Sequence, residues 1–184
     1  YNNSATHAAV INATSAMIAG EEFIVEDSKD LTQYVALKKF LGAVNSEETA
    51  HEIFVKLAFD LKLQGGYALN IIWSKDKTKI AEVYHIPVEQ IRVGVPNEDG
   101  KVEAYYVSAD WSQYRKKEYA PKRITAFNMM DRSEGSQLLY SGLYSPAMEL
   151  YHTPDYVAST NWVQIDNLTS DYHLNNIANG FSAS

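Results

Sequence analysis

The sequence predicts an α+β fold, with helices at both ends of the chain and a mostly antiparallel sheet between them. Three observations carry this. Apolar residues recur at helical spacing before Gly65-Gly66, aromatic and β-branched residues crowd the segments after it, and from Thr153 onward the helical period returns.

Residues 4–19 carry Ala5, Ala8, Ala9, Ile11, Ala16 and Met17, small apolar residues suited to a close-packed helix, and Gly20 stands where a C-terminal cap is needed. Leu31, Tyr34, Val35, Leu37, Phe40 and Leu41 define a second helix. Asn45-Ser46-Glu47-Glu48 offers a capping side chain followed by acids that suit the positive end of a helix dipole, so a third helix is expected directly after it. Its apolar face is Ile53, Leu57, Ala58 and Leu61, and Gly65-Gly66 ends it because glycine takes positive φ without a side-chain penalty.

Residues 67–73, 80–86, 91–95 and 102–107 are rich in aromatic and β-branched side chains and read as strands. Lys75-Asp76-Lys77-Thr78 and Pro96-Asn97-Glu98-Asp99-Gly100 have turn chemistry, the second suited to a hairpin loop, and a meander is the simplest order for these strands. Residues 109–135 are less regular. Within them 124–127 has strand character, and Asp131-Arg132-Ser133-Glu134-Gly135 reads as an exposed loop. Thr153-Pro154-Asp155 marks a long closing helix, with Thr153 as N-cap, proline at the first helical position and an acid at the positive dipole end. Ala158, Trp162, Ile165, Leu168 and Tyr172 give it one apolar stripe, and Gly180 stops it. No repeat or composition break divides the chain, so residues 1–184 read as a single domain.

The 184 residues are 46% hydrophobic, yet no window is long and apolar enough to cross a bilayer or act as a signal peptide, so no membrane partner is expected. The absence of cysteine excludes disulfides and thiolate metal sites and suits assembly in a reducing cytoplasm. Asn2, Asn12 and Asn167 stand in glycosylation-type triplets that nothing else supports. A net charge of -7 argues against a protein whose main task is to grip nucleic acid, while leaving room for one that encloses DNA and lets it slide.

The search for chemistry returns little. His51-Glu52 resembles the start of a zinc-protease helix, but Val55 stands where the second histidine is required. His7, His85, His152 and His173 are scattered without ligand spacing, and neither GxxxxGK[ST], GxGxxG after a strand nor G-x-S-x-G occurs. Asp27, Asp30, Glu47 and Glu48 gather at helix ends, where acids have a structural role. No catalytic residue, cofactor or metal is therefore predicted. The one basic cluster, Arg115, Lys116, Lys117, Lys122 and Arg123 with Tyr114 and Tyr119 interleaved, is a candidate contact for nucleic acid or a partner, against the plainer reading of a solvated loop. Thirteen tyrosines and three tryptophans exceed the needs of a modest core, and such rings are favoured at protein interfaces.

Segments 3–20, 59–73, 80–92 and 144–181 resemble, in order, the N-terminal part of tailed-bacteriophage portal proteins. The marks are Gly65-Gly66-Tyr67-Ala68-Leu69-Asn70-Ile71, Tyr84-His85-Ile86-Pro87, Pro154-Asp155-Tyr156 and the closing run from Tyr172 to Ser184. The resemblance implies the outer wing of a subunit in a ring of usually twelve copies, assembled in the host bacterial cytoplasm and carried in the virion at one capsid vertex, in a phage or prophage. Double-stranded DNA is packaged and ejected through such a ring without sequence specificity. Terminase, capsid and head-tail connector proteins are the implied partners, the motor supplies the energy, and no catalytic centre or cofactor is implied. Stem, clip and channel loop would lie beyond Ser184. Two other readings stand beside it: a hydrolase using Glu52 or another carboxylate with a nearby histidine, and a DNA-binding module on residues 115–123 whose affinity would be salt-sensitive and lost on charge neutralisation.

Overall fold

In the computed structural model, residues 1–26 and 30–180 are described, so Asp27 and the closing residues 181–184 lie outside the described residues. The elements follow in the order α1 (Ala5–Ala19), α2 (Leu31–Gly42), α3 (Ala50–Gln64), β1 (Gly66–Trp73), β2 (Ile80–His85), β3 (Ile91–Val93), β4 (Ala104–Val107), β5 (Lys122–Ala126), β6 (Ser136–Gly142) and α4 (Thr160–Ala178). This is the α+β arrangement that the sequence predicts, with a mixed, mostly antiparallel sheet and a long closing helix.

Local chemistry starts each of the first three helices. Ser4 Oγ accepts from His7 N to open α1, and Gly20 at φ 63° closes it. Asp30 accepts from the backbone of Thr32 and Gln33 at the start of α2. The cap of α3 falls later than expected. Thr49 forms a capping box with Glu52, while Asn45 builds its own turn by accepting from Glu47 N and Glu48 N at 2.8 Å each. Asn45 is drawn away from capping because its amide also donates to Val83 O at 2.8 Å, which ties the segment to the sheet. Thr49→Ala is expected to cost about 1 kcal/mol, since it leaves the Glu52 amide at the helix start without its acceptor. Urea denaturation of the variant, with Ser46→Ala as a control outside the box, checks this.

The sheet order is β2-β1-β6-β5-β4-β3. The expected meander holds for the antiparallel pairs β1–β2 and β3–β4 but breaks between β2 and β3, which are not neighbours. The sixth strand, unexpected from the sequence, enters between β1 and β5, antiparallel to the first and parallel to the second. That insertion sends β2 and β3 to opposite edges, although only residues 86–90 join them. A flat six-stranded sheet would hold its edges about 24 Å apart, whereas this link reaches at most about 21 Å from His85 to Ile91. The sheet therefore curls. Its concave face gathers Ala68, Ile91 and Leu138, with Ile86, Tyr105, Val107, Ile124 and Tyr140 around them, so every strand from β3 to β6 joins β1 in one core.

The opposite face presents Leu69, Ile71 and Trp73 and receives α3, whose buried Asp60 meets His85 of β2 at 2.8 Å. Each edge carries a tertiary contact. Val83 N donates to Val44 O at 3.0 Å on β2, and Val93 N donates to the Tyr151 hydroxyl at 3.1 Å on β3. These contacts engage one outward donor on each edge, which reduces what a further strand could pair with.

The closing helix begins at Thr160, after a 3-10 turn at Val157–Ser159, rather than at Thr153. Thr153 is held instead by Ser145, whose buried hydroxyl accepts from Thr153 N at 2.9 Å and lies 3.0 Å from Thr153 Oγ1. The Tyr156 hydroxyl donates to Leu63 O at 2.7 Å, and Asp155 pairs with Lys62. Tertiary contacts thus hold residues 153–156 against the end of α3, and the helical hydrogen bonds can start only beyond them.

Candidate functional site

The predicted basic cluster is a physical unit. Residues 108–121 join β4 to β5 through 3-10 turns at Trp111–Gln113 and Lys117–Tyr119. Asp110 caps the first turn through Ser112 N at 2.8 Å, and Ser108 Oγ donates to Tyr119 O at 2.7 Å across the base of the loop. Arg115, Lys116 and Lys117 ride on that loop, Lys122 and Arg123 begin β5, and all five are exposed.

Strand register adds two residues that the sequence analysis did not include. Arg92 pairs with Tyr106, and Tyr106 with Arg123, which sets guanidinium, phenol and guanidinium in one row across β3, β4 and β5. The Arg92 guanidinium lies 4.9 Å from the Trp111 ring centre and donates to Ile91 O, while Arg115 lies 5.6 Å from the Tyr114 ring centre. None of these six cations enters an ion pair among the described residues. The result is an exposed, positive, aromatic-lined edge on an acidic chain, able to meet phosphates or carboxylates.

The other titratable groups have structural positions. Glu52 accepts from Thr49 N at 2.7 Å and from the Thr49 hydroxyl at 2.9 Å, and these bonds hold its carboxyl below the usual range. It is therefore turned into the cap. His51 instead lines a 480 Å³ cleft with Phe23, Ile24, Tyr34 and Leu41. Glu48 is held low first by the Lys56 ammonium, with Asn45 adding a hydrogen bond. No group of three or more His, Cys, Asp or Glu side chains is placed to hold a metal among the described residues. His152 meets Leu143 O at 2.8 Å, and His173 is exposed on α4.

His7 on α1 packs edge-on against Tyr156 with ring centres 4.5 Å apart, and neither ring nitrogen has a hydrogen-bond partner among the described residues. Burial pushes its pKa below the ordinary 6.5. The unfolded chain therefore binds the proton more readily. Stability from this site is complete above about pH 6.5 and falls as pH drops through that value toward the lower folded pKa. His7→Phe is expected to flatten this acid slope, as urea melts between pH 5 and 7.5 would read.

Among the described residues, the α-helices α2 and α4 contain no buried residue. At 100° per residue, Val163, Asp166 and Asn167 turn α4 toward the body, and Ser4 donates to Asp166 at 3.3 Å. The predicted stripe of Trp162, Ile165, Leu168 and Tyr172 points the other way, with Trp162 73% exposed and Leu168 68%. Leu174 and Ile177, on the inward side but nearer the helix end, are each 64% exposed, so the last turns overhang the body. No helix is long and apolar enough to cross a membrane among the described residues.

Comparison with protein-family models and with curated proteins gave no match. Solved structures do share the fold. A chain from the neck of an empty gene transfer agent (GTA) particle computed with C6 symmetry superposes with a TM-score of 0.68 at 15% identity, covering 94% of this chain and 42% of that one. A chain from the neck of the native particle computed with C12 symmetry gives 0.67 at 15%, covering 95% and 41%. A chain from the virion of the native gene transfer agent particle gives 0.66 at 14%, also covering 95% and 41%. The present chain thus spans about two-fifths of the length of the chains that it matches.

Proposed function

We propose that this chain is the N-terminal body of a portal-type subunit, a structural component of a phage-like head-tail vertex. In this reading about twelve full-length copies close into a ring that conducts double-stranded DNA during packaging and ejection. Terminase, capsid and head-tail connector proteins dock on the ring, the virion is its location, and the chain itself catalyses nothing. Residues 1–184 act as one unit, with stem and clip in the remainder of the protein.

The observation that carries the proposal is the likeness of 94–95% of the chain to chains of neck assemblies computed with six- and twelvefold symmetry. The unpartnered apolar faces of α2 and α4 support it, because a ring subunit buries against its neighbours what a monomer must cover itself. The net charge of -7 is favourable for a wall past which a polyanion must slide. Arg115, Lys116, Lys117, Lys122 and Arg123 then form a local contact for a partner or for passing phosphates.

Light scattering of the full-length protein, with negative-stain microscopy of the same sample, tests this. Rings with a central hole and a mass near twelve subunits are expected, and a strictly monomeric protein at high concentration would overturn the proposal. The row of Arg92, Tyr106 and Arg123 favours a second reading, a DNA-binding module. It requires DNA affinity that falls steeply with salt and disappears when Lys116, Lys117 and Lys122 are neutralised.

A further inference from the structure

We infer that α4 of one copy packs across α2 of the next, which makes these two helices the two halves of a head-to-tail contact. The inference rests on the ring reading and adds which surfaces meet.

Helix α2 turns Tyr34, Phe40 and Leu41 inward and leaves Leu31, Val35 and Lys39 facing out, with Leu31 70% exposed, while the Lys38 ammonium lies 5.8 Å from the Tyr34 ring centre. Residues 31–42 contain two lysines and no acid. Residues 160–178 contain Asp166 and Asp171 and no lysine or arginine, and neither lysine nor arginine occurs after Arg132. Each helix therefore presents an apolar stripe edged by charge of one sign, and the signs are opposite. Asp171 flanks the outward stripe of α4, and Lys39 sits among the outward residues of α2.

Helix-on-helix packing suits the shapes. Residues of an α-helix rise about 1.5 Å each, so α2 offers about 18 Å of length and α4 about 28 Å, and ridges of one can enter grooves of the other. The two surfaces are different patches of the same chain, so their pairing is heterologous, which is the type that closes into rings. The sheet edges are less open to such a contact, since Val44 O takes the Val83 amide on β2 and Tyr151 takes the Val93 amide on β3.

Residues 1–184 contain no cysteine, so the test is direct once any cysteine in the remainder of the protein is replaced by serine. Full-length protein carrying Asp171→Cys is mixed with full-length protein carrying Lys39→Cys, assembled and oxidised, while light scattering follows the mass. A disulfide between the two variants must join different copies. It is expected on the order of tenfold above a control pairing Asp171→Cys with Glu98→Cys, because groups held across an interface meet at an effective concentration far above bulk. Assembled rings with no excess over the control would overturn the helix pairing and leave the ring intact. Preferential linkage of Asp171→Cys to Lys122→Cys would also overturn it, by assigning α4 to the basic edge. A protein that stays monomeric would overturn the pairing together with the ring.

Discussion

Gly65→Ala is expected to destabilise the protein by about 3 to 5 kcal/mol, well beyond the usual effect of one substitution. Two costs add at this position. Gly65 ends α3 with φ 79°, a left-handed conformation that charges an alanine about 1 to 2 kcal/mol. A Cβ placed there would also lie 2.3 Å from the carbonyl carbon of Thr153 and 2.4 Å from its oxygen, so two backbones must separate. Separation strains the bond from Leu143 N to Gly65 O at 2.7 Å and the anchoring of Thr153 by Ser145. Gly100→Ala is the control. Its φ is 75°, but nothing lies within 4 Å of the added carbon, so only the conformational cost of about 1 to 2 kcal/mol is expected. Urea denaturation of both variants separates strain from contact, and equal losses would show that the approach of residues 153–154 contributes nothing.

The same junction explains what the sequence revealed and what it concealed. Helices α1, α2 and α3 were legible because apolar period and end chemistry agree locally, as in Asp30 before α2 and Gly65 after α3. The start of α4 was not, since Thr153 has the chemistry of a cap but is claimed by Ser145, a partner eight residues away. Strand β6 escaped because Ser136, Gln137, Ser141 and Gly142 dilute its β character. Its place is fixed by partners, with Leu138 opposite Asn70 on one side and Ala126 on the other. The five cations of the basic edge were legible as a cluster in sequence. Arg92 and Tyr106 were not, because only the register of β3, β4 and β5 brings them beside Arg123. The stripe on α4 was visible as a period, but a period states which residues share a face and not which way that face turns.

That outward turn gives the largest expected effect on assembly. Leu168→Asp is expected to leave the stability of the isolated subunit within about 0.5 kcal/mol of the parent, as for most exposed surface positions. The side chain is 68% exposed, and no part of α4 forms core within one copy. In a ring the same change sets a carboxylate into an apolar contact on a face already edged by Asp171. An unpaired charge buried at an interface costs about 3 to 5 kcal/mol, which is a loss of at least about 100-fold in association constant. Trp162→Ala removes a ring of the type that anchors interfaces and is expected to cost about 2 kcal/mol or more per contact. Because every subunit of a closed ring makes this contact twice, once with each neighbour, losses of this size are expected to convert rings to monomers at micromolar concentration. Light scattering of the full-length protein reads assembly, and a thermal melt at a concentration where the parent is already monomeric reads subunit stability. An unchanged melt with lost mass places the stripe at the subunit contact. An unchanged mass would show that α4 faces solvent in the assembly, and a collapsed melt would show that its stripe supports the fold of the single chain after all.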